Sequence, residues 1–104
     1  MTFAEETSLA TDATFLARVE AVAVRKAVVI SAETAAGLRP PRKQLAIRVL
    51  QNPTEEARGL ARVVVRDTTI AAKNPLNSGT VSDAEITAAL SDAVWDGYAQ
   101  AFAL

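Results

Sequence analysis

Cysteine and histidine are both missing from this chain of 104 residues, and methionine, tryptophan and tyrosine occur once each. Without cysteine there is no disulfide, no thiolate nucleophile and no thiolate metal ligand. Without histidine there is no imidazole general base and no imidazole ligand for zinc. The four glycines, Gly37, Gly59, Gly79 and Gly97, are isolated from one another, which excludes a glycine-rich phosphate loop. Long apolar runs are lacking as well. The longest stretch free of charge, Asn74 to Ser82, is nine residues and partly polar, against the roughly 20 apolar residues that a membrane-spanning helix needs. Glu5 and Glu6 make the start acidic, where a cleavable signal peptide would begin with basic residues and an apolar run, so none is expected.

What the chain has in quantity is alanine, 22 residues, joined by 24 of Val, Leu and Ile. That composition and length predict one helical domain, able to bury roughly two-thirds of the surface of its unfolded chain. Its formal net charge of −1 conceals a strong segregation. All 11 Lys and Arg lie between Arg18 and Lys73, among only five acids, so this middle carries +6. Residues 1–17 carry −3 and residues 74–104 carry −4. Opposite charges separated in this way can be satisfied within one subunit or between neighbours.

Local signals divide the chain into four helices after a short leader. Thr2-Phe3-Ala4-Glu5 has the form of a capping box, which predicts a leader helix over 3–10. Thr11 and Asp12 then cap a first main helix over 12–35, stopped by Gly37. In it Phe15, Val19, Val22 and Val29 form one apolar stripe, with Leu16, Ala23, Ala27 and Ile30 beside it. The Arg39-Pro40-Pro41-Arg42 segment breaks the chain, and a second helix follows over 41–51, burying Leu45 and Val49 together with Leu50 or Ile47. Asn52-Pro53-Thr54-Glu55 restarts it as cap, first-turn proline and closing glutamate, for a third helix over 53–72. Ala57, Leu60, Ala61, Val64 and Thr68 make its inward face, and the capped start favours helix over strand for Val63-Val64-Val65. A loop at Asn74-Pro75 and Ser78-Gly79 precedes a last helix over 82–102. It opens with the capping box Ser82-Asp83-Ala84-Glu85, flanked by Val81 and Ile86 as a hydrophobic staple. Ile86, Ala89, Leu90, Ala93, Val94, Gly97 and Ala101 make its expected buried face. The fold class read from these signals is all-α, a compact four-helix bundle with a short N-terminal leader helix.

Catalytic equipment is sparse, and the chain reads as a non-enzyme that needs no cofactor or metal. Glu55 and Glu56 are adjacent, and neighbours on a helix point about 100° apart; in a first turn they complement the helix dipole. Asp83, Glu85, Asp92 and Asp96 lack the alternating ligands around a glycine that a calcium loop requires. Two features point instead to binding. Arg58, Arg62 and Arg66 recur every four residues and share one helical face, where Glu85, Asp92 and Asp96 on the last helix could pair with them if the two helices are neighbours. Arg39, Arg42, Lys43 and Arg48 form a second basic cluster around the proline break. Such clusters can be solvated, can meet a partner's acidic surface or can contact nucleic acid phosphates, although no aromatic residue is interleaved with them. Trp95, Tyr98 and Phe102, with Leu104 beyond them, form either a core edge or the apolar anchor of an interface.

Several segments carry a resemblance. Phe3-Ala4 through Leu9-Ala10, Phe15-Leu16-Ala17-Arg18-Val19 with Ala21-Val22, Leu45-Ala46, Val49-Leu50-Gln51-Asn52-Pro53, and Val81-Ser82-Asp83-Ala84-Glu85-Ile86 followed by Val94-Trp95 and Ala99 resemble small helical proteins of tailed-bacteriophage structural gene clusters. The resemblance implies a virion component assembled in a bacterial cytoplasm, of the connector or adaptor type that rings the portal at the head–tail junction. Its implied partners are portal, tail or capsid subunits and further copies of itself. A capsid decoration protein is the rival within that class, and a small nucleic-acid-binding regulator the rival outside it. The Arg39-Pro40-Pro41 segment and the valine-rich first helix have no counterpart in the resemblance, and it carries over no functional residue.

Overall fold

The computed structural model describes residues 12–38, 44–73 and 78–101. The expected leader helix and the proline segment with Arg39, Arg42 and Lys43 lie outside the described residues, as do Phe102 and Leu104. Among the described residues every regular element is helical, including the Val63-Val64-Val65 run.

Helix α1, Ala13–Ala35, is the axis of the molecule. Asp12 caps it as its sequence position predicts: the carboxylate accepts a hydrogen bond from the Phe15 N–H at 2.8 Å. At the other end Gly37 takes φ +73°, a left-handed conformation that costs glycine little. The Leu38 N–H then donates to the Glu33 carbonyl and the Gly37 N–H to the Thr34 carbonyl, which is the Schellman closure. The helix buries Phe15, Val19, Val22, Ala23, Ala27 and Ile30. Val29, expected in the same stripe, is 55% exposed. It lies nearly in line with Val22, seven residues away, but it borders an open groove with Val22, Arg25, Lys26 and Thr87, so cover over this stripe stops short of it.

Helix α2, Gln44–Gln51, and helix α3, Pro53–Arg66, pack against α1 more extensively than any other elements. Ala46 joins Leu45 and Val49 in the interior, while Ile47 and Leu50 face outward. Ala23 and Ala27 of α1 and Ala57 and Ala61 of α3 are fully buried, so small side chains occupy the inward faces and allow close approach. Asn52 makes no side-chain capping bond, contrary to its sequence reading; its carbonyl accepts from the Glu56 N–H, and Pro53 supplies the preset first turn.

The expected third and fourth helices are each divided, so the described residues hold six α-helical segments instead of four continuous helices. The first division falls at Asp67 (ψ 131°), where the carboxylate accepts from the Thr69 N–H at 2.9 Å and starts a short helix α4, Thr68–Ala71. An aspartate that bonds the backbone two residues on offers an alternative to the continuing helix ladder. Thr68 is therefore exposed, and Ile70 is buried in its stead. A 3-10 turn at Ser78–Thr80 leads into helix α5, Asp83–Ala89, whose capping box is complete. Ser82 Oγ accepts from the Glu85 N–H, and Glu85 Oε1 accepts from the Ser82 N–H, both at 3.1 Å. Val81 and Ile86, the expected staple pair, are both buried.

The second division is at Leu90 and Ser91. Ser91 Oγ accepts from the Val94 N–H at 3.4 Å and its carbonyl from the Trp95 N–H, starting helix α6, Asp92–Ala101. The break rotates everything after it. Ala93, Gly97 and Ala101, expected inside, are exposed, whereas Trp95 and Ala99 are buried. No helix among the described residues is long and apolar enough to cross a membrane.

Candidate functional site

The arginine stripe survives folding as an exposed ridge. Arg58, Arg62 and Arg66 all face outward on α3, one turn apart. Arg62 and Arg66 border a groove of about 350 Å³ between α3 and α6, whose other lining residues are Gly59, Val63, Val94, Tyr98 and Ala101. Its floor is thus built from small and apolar side chains and one aromatic ring, and its rim is cationic. Arg58 instead faces a wider concavity of about 450 Å³ at the α2–α3 junction, lined mostly by polar side chains.

Of the three acids expected to pair with this ridge, Glu85 and Asp92 turn elsewhere, as does their neighbour Asp83, and among the described residues Asp96 forms no ion pair with the ridge. Asp83 meets Arg18 at 3.0 Å, Asp92 meets Lys26 at 2.7 Å and Glu85 meets Lys73 at 3.4 Å. Arg18 also donates to the Val81 carbonyl. The acidic stripe is therefore tied to α1 and to the end of α4, and among the described residues no ion pair involves Arg58 or Arg62. The carboxylates of Asp83 and Asp92 are largely exposed. Pairs of this kind contribute only about 0–1 kcal/mol each, so they orient α5 and α6 on α1 more than they hold them there.

Tyr98 anchors the floor of the groove. Its hydroxyl stands over Gly59, in the space a β-carbon there would need. Behind it, Arg48 Nη2 meets Glu56 Oε1 at 2.6 Å, and the Glu56 side chain is almost wholly buried while that of Arg48 is 45% exposed. Burial raises the Tyr98 pKa above its ordinary value; the Glu56 carboxylate raises it further, opposed by the Arg48 and Arg62 guanidinium groups. Ring, carboxylate and two arginines thus form one electrostatic unit across α2, α3 and α6.

Among the residues singled out from sequence, the structure brings Arg48, Arg62, Arg66 and Tyr98 to this region. Trp95 takes the core alternative: it is 1% exposed, and its indole N–H has no hydrogen-bond partner among the described residues. Arg39, Arg42, Lys43, Phe102 and Leu104 lie outside the described residues. Sequence reasoning missed Glu56 and Gly59. Glu56 could have been found, because it precedes Leu60 and Val64 at helical spacing and so belongs to the buried stripe of α3. Gly59 carries no such signal, since its partner lies 39 residues away on another helix.

An apolar groove with a guanidinium rim is suited to an anionic partner that also carries large apolar side chains. Among the described residues there is no cluster of three or more metal-ligating side chains. No protein-family model, no curated protein and no solved structure matches this chain.

Proposed function

We propose that this chain is a non-enzymatic structural subunit that works by protein–protein contact in a symmetric assembly. The observation that carries the reading is the α3–α6 groove, where an apolar floor around Tyr98 is bordered by Arg62 and Arg66. Arginine and tyrosine beside a concave apolar surface are the residue types that dominate binding energy at protein interfaces. Val28, Val29, Leu38, Ile47 and Leu50 are further apolar side chains exposed elsewhere on the surface.

The sequence resemblance refines this proposal to a head–tail connector or adaptor of a tailed phage, surrounded by portal, tail or capsid subunits and copies of itself. The test is protein identification in purified particles encoded by the genome that carries the chain. A connector is expected at a copy number matching one ring per particle, a decoration protein at one matching the capsid lattice. Absence from intact particles overturns the virion reading.

A second reading, nucleic-acid binding, is favoured by the outward-facing Arg58 and Arg62. It predicts DNA or RNA affinity that falls steeply with salt. No salt-dependent binding in an anisotropy titration would reject it.

A further inference from the structure

Helix α6 carries an apolar face that the folded subunit leaves open. Ala93, Gly97 and Ala101 continue the rhythm of Ile86, Ala89 and Leu90 across the break at Ser91, yet all three are exposed. Gly97 is the clearest case. A glycine inside a helix weakens it relative to alanine, and among the described residues nothing lies within 4 Å of the position its β-carbon would take. Gly59 makes room for Tyr98, whereas Gly97 makes room for nothing in its own subunit.

The break before α6 is lightly held. Ala88-Ala89-Leu90-Ser91-Asp92-Ala93-Val94 contains neither glycine nor proline, so no residue type in it forbids a continuous helix. Helix α5 ends at Leu90 (φ −93°, ψ 48°) without the left-handed glycine that closes α1. The start of α6 is capped by the long bond from the Val94 N–H to Ser91 Oγ, 3.4 Å. In a straight helix over 83–101 the N–H groups of Asp92, Ala93 and Val94 donate to the carbonyls of Ala88, Ala89 and Leu90. Ile86, Leu90, Ala93, Gly97 and Ala101 then fall on one side.

We propose that α5 and α6 straighten into one helix and that α6 then seats on α2 and α3 of a second copy, giving a two-fold dimer in which the two subunits exchange α6. Trp95 and Ala99 enter the core of the partner subunit, and Tyr98 lies over the partner subunit's Gly59. The occupant of each seat is α6 of a second copy because the seat is shaped to α6, down to the space at Gly59 that the Tyr98 ring fills. Exchange of an identical element conserves its contacts, so the hinge decides the balance between monomer and dimer. Where the two straightened helices cross beside their hinges, Ala93 and Gly97 let the helix axes approach. The inference stands apart from the groove's outside partner, since the groove keeps the same residues whichever copy supplies α6.

The test concentrates the full chain, dilutes it, and follows its mass by size-exclusion chromatography with light scattering, with circular dichroism as the control for folding. Ser91→Ala removes the α6 cap at both hinges and raises the dimer association constant by about threefold. Asp92→Pro suits the first turn of a separate α6 but breaks a continuous helix. It lowers that constant by at least about a hundredfold relative to Asp92→Ala, which loses the same Lys26 pair. In a dimer assembled from isotope-labelled and unlabelled copies, filtered nuclear Overhauser spectra place the Tyr98 ring against the Gly59 α-protons of the other copy. A dimer in which that contact stays within one copy overturns the exchange and leaves the assembly reading standing, as does a dimer that the proline leaves unchanged. If the unaltered chain and Ser91→Ala both remain monomers at every concentration, exchange and self-assembly fall together.

Discussion

The hydroxyl of Tyr98 on α6 lies over Gly59 on α3, with its ring Cζ 3.2 Å from the position a β-carbon at residue 59 would occupy. The glycine is there for the tyrosine. A glycine inside a helix costs about 1 kcal/mol relative to alanine, and here that cost opens the space in which the ring seats.

Gly59→Ala should therefore fail to deliver the usual helix gain, because Tyr98 must swing out of the groove floor. In a Tyr98→Ala background the same change should stabilise by up to about 1 kcal/mol. A denaturant double-mutant cycle reads the difference as coupling between the two sites. Equal effects in both backgrounds would contradict the contact.

Tyr98 is the single tyrosine, so its ionisation can be followed by ultraviolet absorbance without assignment ambiguity. Burial and the Glu56 carboxylate hold its proton above the ordinary value of 10.0. The neutral phenol is favoured in the folded state, so its contribution is fully present below pH 10 and is lost as pH rises through the raised folded value. Glu56→Gln should move that titration downward. A midpoint at the ordinary value in the native chain would contradict the placement of the ring.

Arg48 and Glu56 test whether the pair stabilises the fold. Removing Arg48 leaves a carboxylate buried without its partner, and Arg48→Ala should cost about 1–3 kcal/mol. Replacing both, as Arg48→Met with Glu56→Leu, should return the chain to within about 1 kcal/mol of its starting stability. Chemical denaturation of the four species decides between them.

The two serines that start α5 and α6 should differ in worth. Ser82 makes the reciprocal box with Glu85, whereas Ser91 makes one longer bond to the Val94 N–H. Ser82→Ala should cost about 1 kcal/mol and Ser91→Ala a few tenths. The Ser82 backbone N–H, ahead of Lys73, also holds the Glu85 carboxyl below its ordinary value of 4.5. That stabilisation is present above pH 4.5 and is lost as pH falls through the depressed folded value. Ser82→Ala keeps that backbone N–H and should leave the acid limb of the thermal-midpoint profile in place, whereas Glu85→Gln should flatten it.

The helix ends that were legible in the sequence are those decided by a few adjacent residues. Asp12, the glycine at 37 and the Ser82-Glu85 box act within one turn of themselves, so their types and spacing identify them. The breaks at Asp67 and Ser91 are also local, but each lies inside an apolar rhythm that continues across it. Ser91-Asp92-Ala93 repeats the Ser82-Asp83-Ala84 start of the preceding helix, and that echo was the available signal for the second break. Missing it assigned the wrong face to α6 and left Trp95 open between core and surface. The groove was legible only as one wall, the arginine ridge. Its other wall depends on the rotation set at Ser91 and on packing between residues far apart in the chain, which periodicity within one helix does not encode.

Association of the chain with itself is the central claim, and sedimentation equilibrium of the purified full-length chain over a wide concentration range at low salt tests it most directly. The account predicts a mass that rises with concentration to a defined multiple of the monomer and retreats as salt is added. A monomer mass at every concentration and salt would contradict it.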